Sequence, residues 1–302
     1  MKSLLVFACT SALLLAADSS RYKEDFHYSY PQSAGGRLLV ENFNGSVEVT
    51  GWDQNTVDVS GTKYAESQDL LRSLRIEASS TGNEVHLKTV KPEVRHGNMG
   101  ARYVIRVPRR TELERITSSN GSVRVEDIEG GSRLNTSNGS LRLARIRGSI
   151  DATSSNGGVE VSGVDGSISL RTSNGSVHAE EVRGGLEAET SNGAIHVHLR
   201  DTDTARPIRL STSNGSVELQ MDAPRHNDVV ASTSNGGITV RLPAGAGAEL
   251  HAATSSTGTI SSDFEILTRG MLSKHRLEGR IGGGGPRYEL TTSNGSIRLL
   301  RM

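Results

Sequence analysis

The chain has 302 residues, 34 glycines, 4% aromatic side chains and a formal net charge of zero, with a pI near 7.2. Balanced charge gives no electrostatic footprint for nucleic acid or an anionic membrane surface, and this much glycine with so few aromatics fits a thin repetitive core better than a globular α/β one. Cys9 is the only cysteine, so disulfides and cysteine-based metal sites are excluded from the body of the chain.

Residues 1–17, MKSLLVFACTSALLLAA, set Lys2 before an apolar run that ends in small residues. That is the pattern of a secretory signal peptide cleaved near Ala16 or Ala17. The run is short for a bilayer span, and retention as an anchor is the alternative. Cys9 sits inside the run rather than after it, unlike a lipid-attachment cysteine. Residues 18–36 are expected to form an N-terminal lead-in and cap segment, and residues 37–302 a β-solenoid repeat domain.

The first coil signal is RLLVENFNGSVEVTGW, Arg37 to Trp52, with Asn44-Gly45 at a turn and Val47 and Val49 inward. Trp52, lying in this first coil, is expected to pack as an end cap rather than as a carbohydrate-stacking platform. Ala65 to Leu74 carries helical spacing. The strand pattern returns at Val85 and Leu87 after Gly82-Asn83, a loop is expected over KPEVRHGNMG, and Ala101 to Pro108 reads as a strand.

From Thr117 to Leu199 one phrase returns five times, with Asn120, Asn138, Asn156, Asn174 and Asn192 each eighteen residues apart. A strict period of that length marks a stacked solenoid. Three residues after each Asn stand Val123, Leu141, Val159, Val177 and Ile195; five after stand Val125, Leu143, Val161, Ala179 and Val197. Apolar columns at period two predict a strand with one face buried. A second strand leads into the next Asn, with Leu134, Ala152, Leu170, Ala188, Leu210 and Ala231 four residues before it, alternating large and small. Neither half-coil leaves room for a helix.

The Asn-Gly corner is expected because both residues tolerate positive φ and stacked amides can bond one another. Asn-Gly also suits a type I′ hairpin, but hairpins give no reason for an eighteen-residue register. Glu129, Arg147, Asp165 and Arg183, nine places after successive asparagines, alternate in sign, as do Asp127 and Arg145, Arg142 and Glu160, and Arg171 and Glu189. A one-coil slip would bring like charges together, so these columns set register.

Beyond Asn192 the spacing loosens to Asn214, Asn235 and a degenerate Thr257-Gly258, with DTDTARP and MDAPRHND as bulges where binding specificity could sit. Residues 263–286 interrupt the array, which resumes at Asn294. The fold class expected is all-β, a single-stranded parallel β-helix with about 18–22 residues per coil and about ten to fourteen coils, roughly 50–65 Å long. Its end strands need caps, for which Tyr22 to Gly36 and the 263–286 insertion are the candidates.

The lead-in LLVENFNGSVEVTGW, the Val107-Pro108 that ends a strand before the first TSSNG, and the closing RIGGGGPRYELTTSNGSIRL resemble the bacterial putative-adhesin family of TSNG β-strand repeats, a domain of unknown function. The resemblance covers roughly Gly36 to Leu300. It implies a right-handed parallel β-helix-like fold, export and a role at the cell envelope, and it brings no catalytic residues. The absence of Asn at Thr257 leaves one corner unmatched.

His178 and His196 share a column and His198 lies two residues on, a spacing that could bind Zn²⁺ or Cu²⁺. Against this, the column also holds Arg124, Arg142, Glu160 and Glu218, the mark of a solvated face, and no metal or other cofactor is expected. A carbohydrate-active enzyme would need paired carboxylates in a groove; Glu180 with Glu181 and Asp201 with Asp203 are the nearest clusters. Thr136, Thr172, Thr190, Thr212 and Thr233 share the parity of the buried columns, so their hydroxyls are expected to bond backbone rather than to form an ice-binding array. The NGS triplets match glycosylation acceptors, but their period is that of the turn. GxSxG, P-loop and calcium-nonapeptide motifs are missing, and Gly282 to Gly285 reads as a flexible loop.

The function expected is a non-enzymatic secreted or periplasmic β-solenoid, an adhesin or binding and structural surface of the cell envelope whose partner is an envelope protein or a glycan. The alternatives are a carbohydrate-active β-helix enzyme and an envelope-sensing partner of a membrane protein. No nucleic-acid partner and no membrane span in the mature chain are expected, and oligomeric state is left open.

Overall fold

The computed structural model describes residues 22–93, 97–201, 206–224, 226–255, 258–268 and 273–302. The signal-like segment, Asp203 and Thr257 lie outside the described residues.

Each repeat is two short strands joined at two corners. The strand before the asparagine belongs to one sheet and the strand after it to the other, so the chain winds between two facing sheets. In the Asn138 coil these strands are Ser132–Thr136 and Leu141–Ala144. Equivalent residues of neighbouring coils pair in parallel, as in Leu141↔Val159↔Val177↔Ile195 and Leu134↔Ala152↔Leu170↔Ala188. Backbone groups are therefore satisfied between coils rather than within them. Among the described residues the two sheets have 13 and 14 strands, about 60 Å along the stack at parallel-strand spacing.

The core is one continuous cluster of stacked side-chain columns between the sheets. Val123, Val125, Val159, Val161, Val177, Ile195 and their equivalents are at most 4% exposed, and each such side chain contributes roughly 1.5–3 kcal/mol. A further buried column, Ile128, Ile146, Val164 and Val182, fills the second corner.

The stack does not follow chain order at its ends. The coil of Asn44, formed by Gly36–Asn44 and Val47–Trp52, sits between the coil of Glu84–Val90 and Met99–Pro108 and that of Thr111–Asn120 and Val123–Glu126. At the other end the last coil, Arg287–Asn294 and Ile297–Arg301, slots between that of Val229–Asn235 and Ile238–Leu242 and that of Ala248–Ala253 and Ile260–Ser262. Sequential stacking, implied by an array interrupted at 263 and resumed at Asn294, is thus corrected at both ends.

Both ends carry antiparallel strands. Tyr22–Pro31 pairs along its whole length with Thr56–Ala65, which pairs in turn with Met99–Pro108. Phe26, Tyr28 and Tyr30 on its inner side pack on the core, with the Phe26 ring 5.3 Å from that of Tyr103. Arg75–Thr81 and Glu84–Val90 form a hairpin whose turn holds Gly82 at φ 61°. The helical spacing resolves into Gln68–Ser73, capped by the Ser67 hydroxyl, with Leu71 and Leu74 packed on Met99. At the opposite end Ile266–Thr268 and Arg276–Ile281 add antiparallel strands to one sheet, while the other sheet ends in the parallel strand Ile260–Ser262.

Candidate functional site

The asparagines form one continuous ladder. The side-chain amide of Asn120 donates to the Asn44 Oδ1, and the chain of bonds continues through Asn138, Asn156, Asn174, Asn192, Asn214, Asn235 and Asn294, every distance between 2.6 and 2.9 Å. Asn44 ends it by donating to the Met99 carbonyl at 2.9 Å. Beneath the ladder runs a hydroxyl column, buried except at Thr254, which is half-buried. Ser118, Thr136, Ser154, Thr172, Thr190, Thr212, Thr233, Thr292 and Thr254 each donate to the carbonyl of a corner glycine in the adjacent coil, at 2.8–3.1 Å.

Glycine at this corner has a different cause from the one expected. Among the glycines that follow a ladder asparagine, only Gly45 has a positive φ, 109°. The others face a carbonyl: a Cβ on Gly157 would lie 1.8 Å from the Gly139 oxygen, and one on Gly139 would lie 1.9 Å from that of Gly121. The left-handed conformation belongs to the second corner, at Asp127, Arg145, Gly163 and Glu181 with φ of 54–62°.

Charged pairs decorate the outside of both sheets and the second corner, with Arg171 beside Glu187 at 3.1 Å and Glu189 at 3.8 Å on the sheet before the asparagines. At the second corner Arg145 bonds Asp127 at 2.8 Å and Glu126 at 2.9 Å. The Arg145 hydrogen bond holds the Asp127 carboxyl below its ordinary value. Burial works to raise Glu126, but hydrogen bonds from Arg124 and Arg145 outweigh it and hold that carboxyl low as well. On the sheet after the asparagines, Arg142 meets Glu160 at 3.1 Å, and the rings of His178 and His196 stand 5.0 Å apart. A shallow furrow of about 330 Å³ runs beside this column, floored by Ser140, Gly158 and Ser176 and walled by Arg142, Glu160 and His178.

The three imidazoles are not turned to a common point. His178 faces Glu180 at 3.7 Å, His196 faces Glu218 at 3.4 Å, and His198 bonds Asp222 at 2.8 Å. Arg241 also bonds Glu218, which is held below its ordinary value chiefly by that contact. Among the described residues no three His, Cys, Asp or Glu groups converge as a metal site would require.

The candidate carboxylates are dispersed too. Glu180 lies exposed on a strand, Glu181 turns the corner towards Arg200 at 3.4 Å, and Asp201 stands in register with Arg183. Trp52 is not an end cap. It lies on the outward side of its strand, its Nε1 donating to the Thr56 carbonyl at 2.8 Å, with the Arg106 guanidinium 5.8 Å from the ring. Its coil is interior because another coil stacks outside it. The furrow was not read from the sequence; its signal is the small residue two places after three successive asparagines, Ser140, Gly158 and Ser176.

Several solved structures are similar to this chain over 92% of its length. Among them are a putative cell adhesion protein from Clostridium sporogenes (12% identity, 100% of that chain, TM-score 0.25), a putative adhesin from Bacteroides fragilis (14%, 97%, 0.29) and a putative adhesin from Parabacteroides distasonis (9%, 97%, 0.36). No curated protein matches the chain. Residues 37–252 match the family described as Toastrack DUF4097, a span that takes in the ladder from Asn44 to Asn235. The chain belongs to the Toastrack DUF4097 family.

Proposed function

We propose that the chain is an exported, non-catalytic binding and structural surface of the bacterial cell envelope, an adhesin whose recognition face is built from in-register coils. The observation that carries this is the continuous ladder with the furrow beside it. Together they form a stiff, periodic surface in which outward side chains repeat at strand spacing, a geometry suited to an extended partner such as a glycan chain or a segment of an envelope protein. The signal-like start of the chain supports export.

A glycan array and pull-downs from envelope fractions with the purified protein test the proposal. Retention of a glycan or envelope protein, weakened by the double exchange Arg142→Glu with Glu160→Arg, is the expected result. Turnover of a polysaccharide that disappears in Glu180→Gln or Asp201→Asn would reverse it in favour of an enzyme. Cell fractionation should place the protein outside the cytoplasm.

A further inference from the structure

Asn-Gly is the dipeptide whose main chain most readily attacks its own side chain, because glycine sets no Cβ beside its amide nitrogen and the asparagine amide carbon is one ring closure away. Asparagine is correspondingly thermolabile. This chain places that dipeptide at every rung of the ladder, from Asn44-Gly45 to Asn294-Gly295.

In the stack every side-chain amide is engaged, and at several rungs the attacking nitrogen is engaged as well. Each side-chain amide is tied to its neighbours, as Asn156 is to Asn138 at 2.7 Å and to Asn174 at 2.8 Å. Several of the attacking nitrogens are donors as well: Gly139 to the Thr136 hydroxyl at 3.2 Å, Gly157 to that of Ser154 at 2.9 Å, and Gly215 and Gly236 to the Asn235 and Asn294 carbonyls at 3.2 and 3.1 Å.

We infer that the ladder is a latent self-modification site, held unreactive by stacking and released when a coil opens. In an opened coil the glycine nitrogen bonds to the asparagine Cγ and gives its proton to solvent, and the side-chain nitrogen leaves as ammonia. The succinimide ring that remains is opened by water at either carbonyl, giving aspartate or isoaspartate. Neither product fits the ladder. An aspartate at position 156 could accept from Asn174 but has no N–H for the Asn138 oxygen. Isoaspartate lengthens the main chain at a corner where a Cβ on Gly157 already has no room beside the Gly139 carbonyl. A coil that opens long enough is therefore marked and barred from restacking.

The test is peptide mapping by mass spectrometry after incubation at mildly alkaline pH, with and without guanidinium chloride. In the folded protein Asn138, Asn156, Asn214 and Asn235, whose glycine amides are bonded, are expected to deamidate less than about one tenth as fast as in denaturant, the factor that follows if a rung opens less than a tenth of the time. Thr136→Ala, which frees the Gly139 amide, is expected to raise the rate at Asn138 and leave Asn214 slow, since the Gly215 amide keeps its bond to the Asn235 carbonyl, so that Asn214 reports whether the variant is folded. Asn156→Asp, which installs the product, should lower Tm. Equal rates in the folded and denatured protein, no change at Asn138 in Thr136→Ala, or an unchanged Tm in Asn156→Asp would each overturn the inference.

Discussion

Glycine follows each ladder asparagine because the backbone of the next coil occupies the place where a side chain would begin. Gly157→Ala therefore forces a shift of main chain rather than of a mobile side chain, and a loss of at least about 1–3 kcal/mol is expected. Gly283→Ala, where nothing lies within 4 Å and φ is not positive, should leave Tm nearly unchanged. Parallel thermal melts of the two variants check the contrast. The letters of this corner were legible in the sequence, but their cause was not, since positive φ and close backbone approach both select glycine. A second effect at this scale is acid sensitivity. Asp127 and Glu126 titrate in the folded protein below their ordinary 3.8 and 4.5, so their contacts with Arg145 contribute above the ordinary carboxylate range and are lost as pH falls through the depressed values. With Arg145 57% exposed, solvent screening keeps this under about 1 kcal/mol. Melts of wild type and Arg145→Ala should converge as the pH is lowered below that range; a gap that stays constant would contradict the assignment.

At the scale of the strand, burial and charge divide the work. Val161 is fully buried between Leu143 and Ala179, and Val161→Asp puts an unpaired carboxylate into the file of apolar side chains. Unfolding, or a loss beyond about 3 kcal/mol, is expected. Glu160→Ala, one residue away, removes only an exposed contact with Arg142 and should cost under about 1 kcal/mol. Denaturant titration of both variants separates them, and equal stabilities would mean that the faces have been exchanged. This division was readable in advance because a period of two within the coil and of eighteen between coils leaves one assignment of inside and outside. The end strands were less legible. Tyr22–Pro31 lacks the repeat phrase, and its partner Thr56–Ala65 is recognised only through long-range pairing. Burial at that end raises the Tyr103 phenol to about 12, although its hydroxyl meets Thr89 at 2.5 Å. Tyr103→Phe leaves the buried Thr89 hydroxyl without that partner and should cost about 1–3 kcal/mol by melt, whereas Tyr103→Ala should cost about 3–5 kcal/mol.

Over the whole molecule the order of coils matters most. From the Asn138 coil to the C-terminal end of the stack the column before the asparagines reads Leu134, Ala152, Leu170, Ala188, Leu210, Ala231, Leu290 and Ala252, whereas towards the N-terminal end Leu134 meets the large Ile116 and Val40. Large and small alternate without a break only because the last coil in the chain lies between two earlier ones. Sequential stacking would set Ala231 against Ala252 and leave space in the core. That alternation was visible in the sequence as far as Ala231, and extending it to Leu290 before Ala252 would have predicted the interleaving. Chain order concealed it, because neighbouring repeats in sequence are taken to be neighbours in space. Slotting the last coil inside the stack joins the C-terminal end to the body through two interfaces rather than one, so its loss should destabilise the end cooperatively.

The order can be read directly by cysteine cross-linking, since the body of the chain contains no cysteine. Thr239 and Arg298 are partners on adjacent outward positions, as are Arg298 and Ser261, whereas Thr239 and Ser261 are separated by the intervening strand. Adjacent parallel strands lie about 4.8 Å apart and alternate ones about 9.6 Å, on either side of the roughly 7 Å Cα limit for a disulfide. Under mild oxidation Thr239→Cys with Arg298→Cys should form the bond, and Thr239→Cys with Ser261→Cys should not. Efficient closure of the second pair and failure of the first would show coils stacked in chain order and contradict the account.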